Sequence, residues 1–133
     1  MPFALVSSRY VDAILLTLVP VVFVIADDWT LRSAIRAELR ELSIDALGME
    51  NADDVGRVLA AGQMPAVIVV EGTAPLALHP AIQKLMRSVR TVLIASRTET
   101  IPLPPVTRVF YRPVRIGEIV AAVQELLQTG HLA

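Results

Sequence analysis

Residues 22–32 read VFVIADDWTLR, an apolar run that breaks into two aspartates and then into helical spacing. A β-branched run that is apolar at every position, not at every second one, is the mark of a strand covered on both faces. Leu31, Ile35, Leu39 and Leu42 then recur at the period of a helix. Strand followed by helix is therefore the unit from which the chain is read. Asp27 and Asp28 lie at the turn between the two, where an acid can either cap the helix or belong to a polar site.

The unit repeats outward from that stretch. A short strand at Ile44 to Met49 precedes a helix with Asp53 and Asp54 in its first turn, where the helix dipole favours acids, and with Val55, Val58 and Leu59 on its apolar face. AVIVV at 66–70 is a third strand, and His79 and Pro80 open a helix carrying Ile82, Leu85, Met86 and Val89. TVLIA at 91–95 is a fourth strand; the fifth, Arg108 to Tyr111, leads through Pro113 into a helix with Ile116, Ile119, Val120, Val123, Leu126 and Leu127 on one face. Alternating strands and helices predict an α/β fold: a five-stranded, parallel, doubly wound sheet of flavodoxin-like type, with function at the C-terminal ends of the strands.

The fourth crossover breaks the pattern. Between Ala95 and Arg108 lie twelve residues, SRTETIPLPPVT, three of them proline. No helix of useful length fits there, so the fourth helix of the fold is shortened or missing. Ile101, Leu103 and Val106 then have no helical stripe to bury them, and the sequence places them in an extended surface segment, either as partner-binding residues or as a cover for the sheet edge.

Composition narrows the function. The 133 residues make one domain, 54% hydrophobic and 19% charged, with net charge −1, so no charge excess points to nucleic acid. There is no cysteine, and His79 and His131 are isolated, which excludes thiolate chemistry and offers no metal-ligand spacing. The stretch 13–26, AILLTLVPVVFVIA, is uncharged but shorter than the roughly 18 residues of a membrane span, and Pro20 interrupts it. It reads as a hydrophobic N-terminal extension, residues 1–19, with helix favoured over 8–18, ahead of a domain at 20–133. A cytoplasmic protein without a membrane span is expected. No G-x-S-x-G, no G-x-G-x-x-G after a strand and no G-x-x-x-x-G-K-[ST] occurs, which counts against an esterase, a dinucleotide enzyme and a nucleotide hydrolase.

With these acids, a glycine turn and Arg112-Pro113 collected at the strand ends, residues 20–129 resemble a bacterial response-regulator receiver domain of the CheY-like family. The resemblance implies acids for Mg²⁺ after the first strand, a phosphate-accepting aspartate after the third, a Ser/Thr after the fourth and Lys-Pro after the fifth. Aligned on Arg32 and Leu42, the acidic cluster becomes Ala26, Asp27 and Asp28, so the first acid is lost. Glu71 takes the phosphoacceptor place, Ala95 or Ser96 the hydroxyl place, and Arg112-Pro113 the place of Lys-Pro, with the cis peptide bond that the resemblance implies. Val109 stands where the family has its switch aromatic.

These departures define the expectation. Glutamate reaches one methylene further than aspartate and imitates part of a phosphoryl charge, and Arg112 offers a fork that suits a carboxylate, either that of Glu71 or that of Asp27. Asp27, Asp28 and Glu71 are a thin oxygen set, so Mg²⁺ binds weakly if at all. The reading is a stand-alone, atypical response regulator, not an enzyme, that acts in signal transduction by phosphorylation-independent contact with a protein partner, a sensor or regulatory protein, or with a second copy of itself. The alternatives are a receiver phosphorylated on Asp27 or Asp28, and a small enzyme on the same fold.

Overall fold

The computed structural model describes residues 19–98 and 103–132. Residues 1–18 of the hydrophobic extension, where a helix is expected over 8–18, and Ile101 lie outside the described residues. Five parallel strands, β1 (Val21–Ile25), β2 (Asp45–Met49), β3 (Val67–Glu71), β4 (Arg90–Ala95) and β5 (Arg108–Tyr111), form one sheet in the order β2-β1-β3-β4-β5. The helices are α1 (Trp29–Glu41), α2 (Ala52–Ala60), a single turn α3 (Ala74–Ala77), α4 (Pro80–Ser88) and α5 (Ile116–Leu132). Among the described residues no helix is long and apolar enough to cross a membrane.

All five residues of β1 are buried, because the strand is paired on both edges and packed on both faces: Val22 lies opposite Ala46 on one side and Val67 on the other. Val22, Val24, Val67, Val69, Val92 and Ile94 meet Leu31, Ile35 and Leu39 of α1 and Ile119, Val123 and Leu126 of α5 on one face. On the opposite face Phe23, Ile25, Ile68, Val70 and Leu93 meet Val55 of α2 and Ile82, Leu85 and Met86 of α4. Each such side chain stabilises the fold by about 1.5–3 kcal/mol relative to exposure.

The helix ends follow from local chemistry. Asp28 caps α1, its Oδ1 accepting from the Leu31 N–H at 3.2 Å. Asn51 caps α2 by accepting from Asp54 N–H at 2.9 Å, and His79 caps α4 with Pro80 in its first turn, as the sequence predicts for His79 and Pro80. Leu42 is not part of the α1 stripe: the helix closes at Glu41, Leu42 becomes its exposed C-cap, and Ser43 turns left-handed at φ 61° so that Ser43 and Ile44 N–H reach the carbonyls of Arg40 and Leu39. This is a Schellman closure. The end of α2 closes the same way on Gly62, at φ 93°.

In the β4–β5 connection none of the described residues, 96–98 and 103–107, is helical. Leu103 and Val106 are not free at the surface: both are half-buried against the core cluster on the Phe23 face. The prolines keep this segment extended, which lays the two side chains onto the sheet where a helix would otherwise cover it. Beside them Val109 and Tyr111 remain 41% and 50% exposed.

Candidate functional site

The strand order reverses between β1 and β3, and in open α/β sheets the crevice beyond the strand ends at such a point is where ligands bind. Here that crevice holds Asp27 and Asp28 after β1 and Glu71 at the end of β3. Glu71 is 5% exposed, one of two polar or charged side chains among the buried residues described. Its charge is answered on both oxygens. Oε1 accepts from the backbone N–H of Asp27 at 2.8 Å and of Asp28 at 3.2 Å, and Oε2 accepts from Arg112 Nη2 at 2.5 Å.

Each donor is placed by the backbone around it. The Arg112 N–H donates to Ala95 O at 2.9 Å, prolonging the β4–β5 ladder by one residue and turning the side chain toward β3; the Arg112–Pro113 bond that follows is cis. Gly72 N–H donates to Ile94 O at 2.7 Å, and a Cβ at residue 72 would stand 2.9 Å from that same oxygen. Glycine is thus needed for β3 to leave the sheet so close to β4 while aiming Glu71 into the crevice. From the α1 side Arg32 Nη1 donates to Ala26 O at 2.6 Å and approaches Asp27 O at 3.5 Å, fixing the loop whose amides hold Glu71.

The other site residues have different occupations. Ala26 is buried with the α1 face of the core, and Asp28 is the helix cap. Asp27 is exposed and lines a cleft with Glu50, Asn51, Asp53, Thr73 and His79. Ala95 is half-buried, while Ser96 Oγ shares a 2.9 Å hydrogen bond with Thr98 Oγ1. Pro113 lines a shallow groove with Asp28, Leu31, Ala34 and Ile116. Trp29, the first residue of α1, is 69% exposed.

This donor set does not suit Mg²⁺. Asp28 spends Oδ1 on its helix and Glu71 spends both oxygens on N–H groups, with a fixed guanidinium charge beside it. Among the described residues no group of three His, Cys, Asp or Glu is arranged to hold a metal ion. Two parts of the site escape sequence reasoning: the Asp27 and Asp28 amides that donate to Glu71 Oε1, and the Arg32 clamp. A signal for the second exists in the placement of Arg32 in the first turn of α1, within reach of the carbonyls that precede it.

Strand order 2-1-3-4-5 and this placement of side chains can be set beside known proteins. A response regulator receiver protein from Burkholderia phymatum superposes with a TM-score of 0.67 at 20% identity over 82% of this chain and 95% of its own. The signal receiver domain of an HD domain-containing protein from Pseudomonas fluorescens gives 0.70 at 14% identity over 86% and 98%. The fold is that of a receiver domain. An adenylate cyclase from Rhodopirellula baltica matches as well, with a TM-score of 0.66 at 12% identity over 86% and 92%. No protein-family model matches this sequence, and no match is found among curated proteins. The receiver fold is what these likenesses carry.

Proposed function

We propose that this chain is an atypical response regulator that signals through protein contacts without being phosphorylated. The observation that supports this is the satisfaction of Glu71. A carboxylate attacking a phosphodonor needs an oxygen lone pair facing the phosphorus and cations for the phosphoryl oxygens. Glu71 has both oxygens bound by N–H groups, and Arg112 is already engaged with it. The carboxylate and its donors thereby hold the crevice in one arrangement that needs no phosphoryl group.

The contact surface in this reading is the half-covered face of β4 and β5, with Leu103 and Val106 at its base and Val109 and Tyr111 beside them; Ile101 belongs to the same segment by sequence. The partner is a sensor or regulatory protein, or a second copy of the chain. The competing reading keeps phosphorylation and moves it to Asp27, which is exposed at the strand end, or to Asp28.

Intact mass after incubation with acetyl phosphate and Mg²⁺ tests the proposal. No added phosphoryl mass is expected. Stoichiometric labelling abolished by Glu71→Ala would overturn it, and labelling that survives Glu71→Ala but not Asp27→Ala or Asp28→Ala would establish the competing reading.

A further inference from the structure

Helix α1 carries a feature that the Glu71 pocket does not account for. Arg32, Arg36 and Arg40 recur at every fourth residue, which sets them in one row about 6 Å apart. The row overhangs the edge strand β2. Arg36 Nε donates to Ala46 O at 3.4 Å, and the stems of Arg32 and Arg36 lie over the bare Cα of Gly48, where a Cβ would stand 2.7 Å from Arg36 Cδ and 3.2 Å from Arg32 Cδ. Glycine within a strand weakens it. At Gly48 it opens the space in which both arginine stems lie flat against the strand.

Among the described residues no carboxylate pairs with this row; Arg32 and Arg36 each donate to backbone carbonyls, which carry no charge. The ion pairs among the described residues are Arg57–Asp54, Arg108–Glu125 and Arg112–Glu71, and none involves the row. Like charges four residues apart weaken a helix. Burial, and then the charges of Arg40 and Arg32, hold the Arg36 guanidinium below its ordinary value. Glu38 and Glu41, at about 100° per residue, project from other sides of the helix.

We propose that the Arg32–Arg36–Arg40 row docks an acidic polypeptide segment in extended conformation. An extended chain advances about 6.6 Å in two residues, so carboxylates at alternate positions match arginines about 6 Å apart. Guanidinium forks bind carboxylates in pairs of hydrogen bonds. A long polyanion fits less well: the chain has net charge −1, and Asp27, Glu50 and Asp53 line the cleft at the adjoining strand ends, where a continuing phosphate backbone would meet like charge. Arg32 also clamps the loop that holds Glu71, but Arg36, Arg40 and Gly48 do not touch that loop, so variants at these three positions test the docking separately from the proposed function.

Fluorescence anisotropy of a labelled, alternating Glu-Ser octapeptide at low ionic strength is the test, with a Lys-Ser octapeptide, a short mixed-sequence DNA duplex and phosphatidylserine vesicles as comparison arms. The Glu-Ser peptide binds, and added salt weakens it. In Arg36→Gln with Arg40→Gln the affinity falls about tenfold, the loss expected of two exposed charge pairs. Gly48→Val, which keeps every charge but displaces Arg36 from its seat, also weakens binding. Arg40→Gln alone, at an exposed position, gives about a threefold loss and serves if either other variant loses its circular-dichroism spectrum. Equal binding by the folded charge variants, binding no tighter than that of Lys-Ser, or tighter binding of the duplex or the vesicles overturns the proposal.

Discussion

Glu71 and Arg112 lie 41 residues apart in the chain and 2.5 Å apart in the fold. The pair is asymmetric: the Glu71 side chain is 6% exposed and that of Arg112 39%. Removing the exposed partner leaves the enclosed charge with two backbone amides alone. Arg112→Met is therefore expected to lower stability by about 1–3 kcal/mol, between the cost of a surface pair and that of a fully buried one. Urea unfolding at neutral pH measures it, and an unchanged midpoint would mean that Arg112 contributes nothing to holding Glu71.

The two aspartates separate by role. Asp28→Ala removes the cap of α1 and costs about 1 kcal/mol, most of which Asp28→Asn or Asp28→Ser retains. Asp27→Ala, at an exposed side chain, stays within about 0.5 kcal/mol. Equal losses in thermal melts of the two alanine variants would contradict this division.

On the proposed reading, reversing the three departures together is expected to confer competence for phosphorylation. Ala26→Asp, Glu71→Asp and Arg112→Lys restore a metal-binding acid, a shorter nucleophile that no longer reaches the loop amides, and an ammonium that binds as a point charge. The triple variant is expected to bind Mg²⁺ in calorimetry and to gain phosphoryl mass from acetyl phosphate. A folded triple variant that does neither would show that the barrier lies outside these residues.

Ser43 holds a left-handed conformation that favours glycine, at the same closing position that Gly62 fills after α2. Ser43→Gly is expected to stabilise the protein by about 0.5–1 kcal/mol, the relief of strain exceeding the added freedom of the unfolded chain, and Gly62→Ser to destabilise it by about 1 kcal/mol. Opposite signs in paired melting curves are the outcome to look for.

The sheet was legible in the sequence because its strands are buried on both faces. VVFVI and VIVVE are apolar to within one residue of their ends, and each is followed by helical periodicity. The end of α1 was not legible, since Leu42 continues the apolar spacing while the backbone closes through Ser43. Leu103 and Val106 showed the converse: without periodicity they read as exposed, yet an extended, proline-bound segment can still press side chains onto a sheet. At the site, residue types suggested that Glu71 and Arg112 could meet, and the structure brings them together. The amides that share Glu71 carry no side-chain signature, so nothing in the sequence points to them.

The thin cover over β5 has a consequence for how the molecule opens. Its four residues pair with β4 alone, three of them exposed and the fourth half-buried, whereas β1 is paired on both edges and buried throughout. Amide hydrogens of β1 and β3 are therefore expected to exchange with solvent only when the whole domain unfolds, and those of β5 through a smaller, cheaper opening, which native-state hydrogen exchange measures. Arg112 follows directly from β5, so each such excursion also withdraws the guanidinium from Glu71. Fraying at one sheet edge is thereby coupled to the loosening of the buried carboxylate, and a protein seated on β5 would slow both at once.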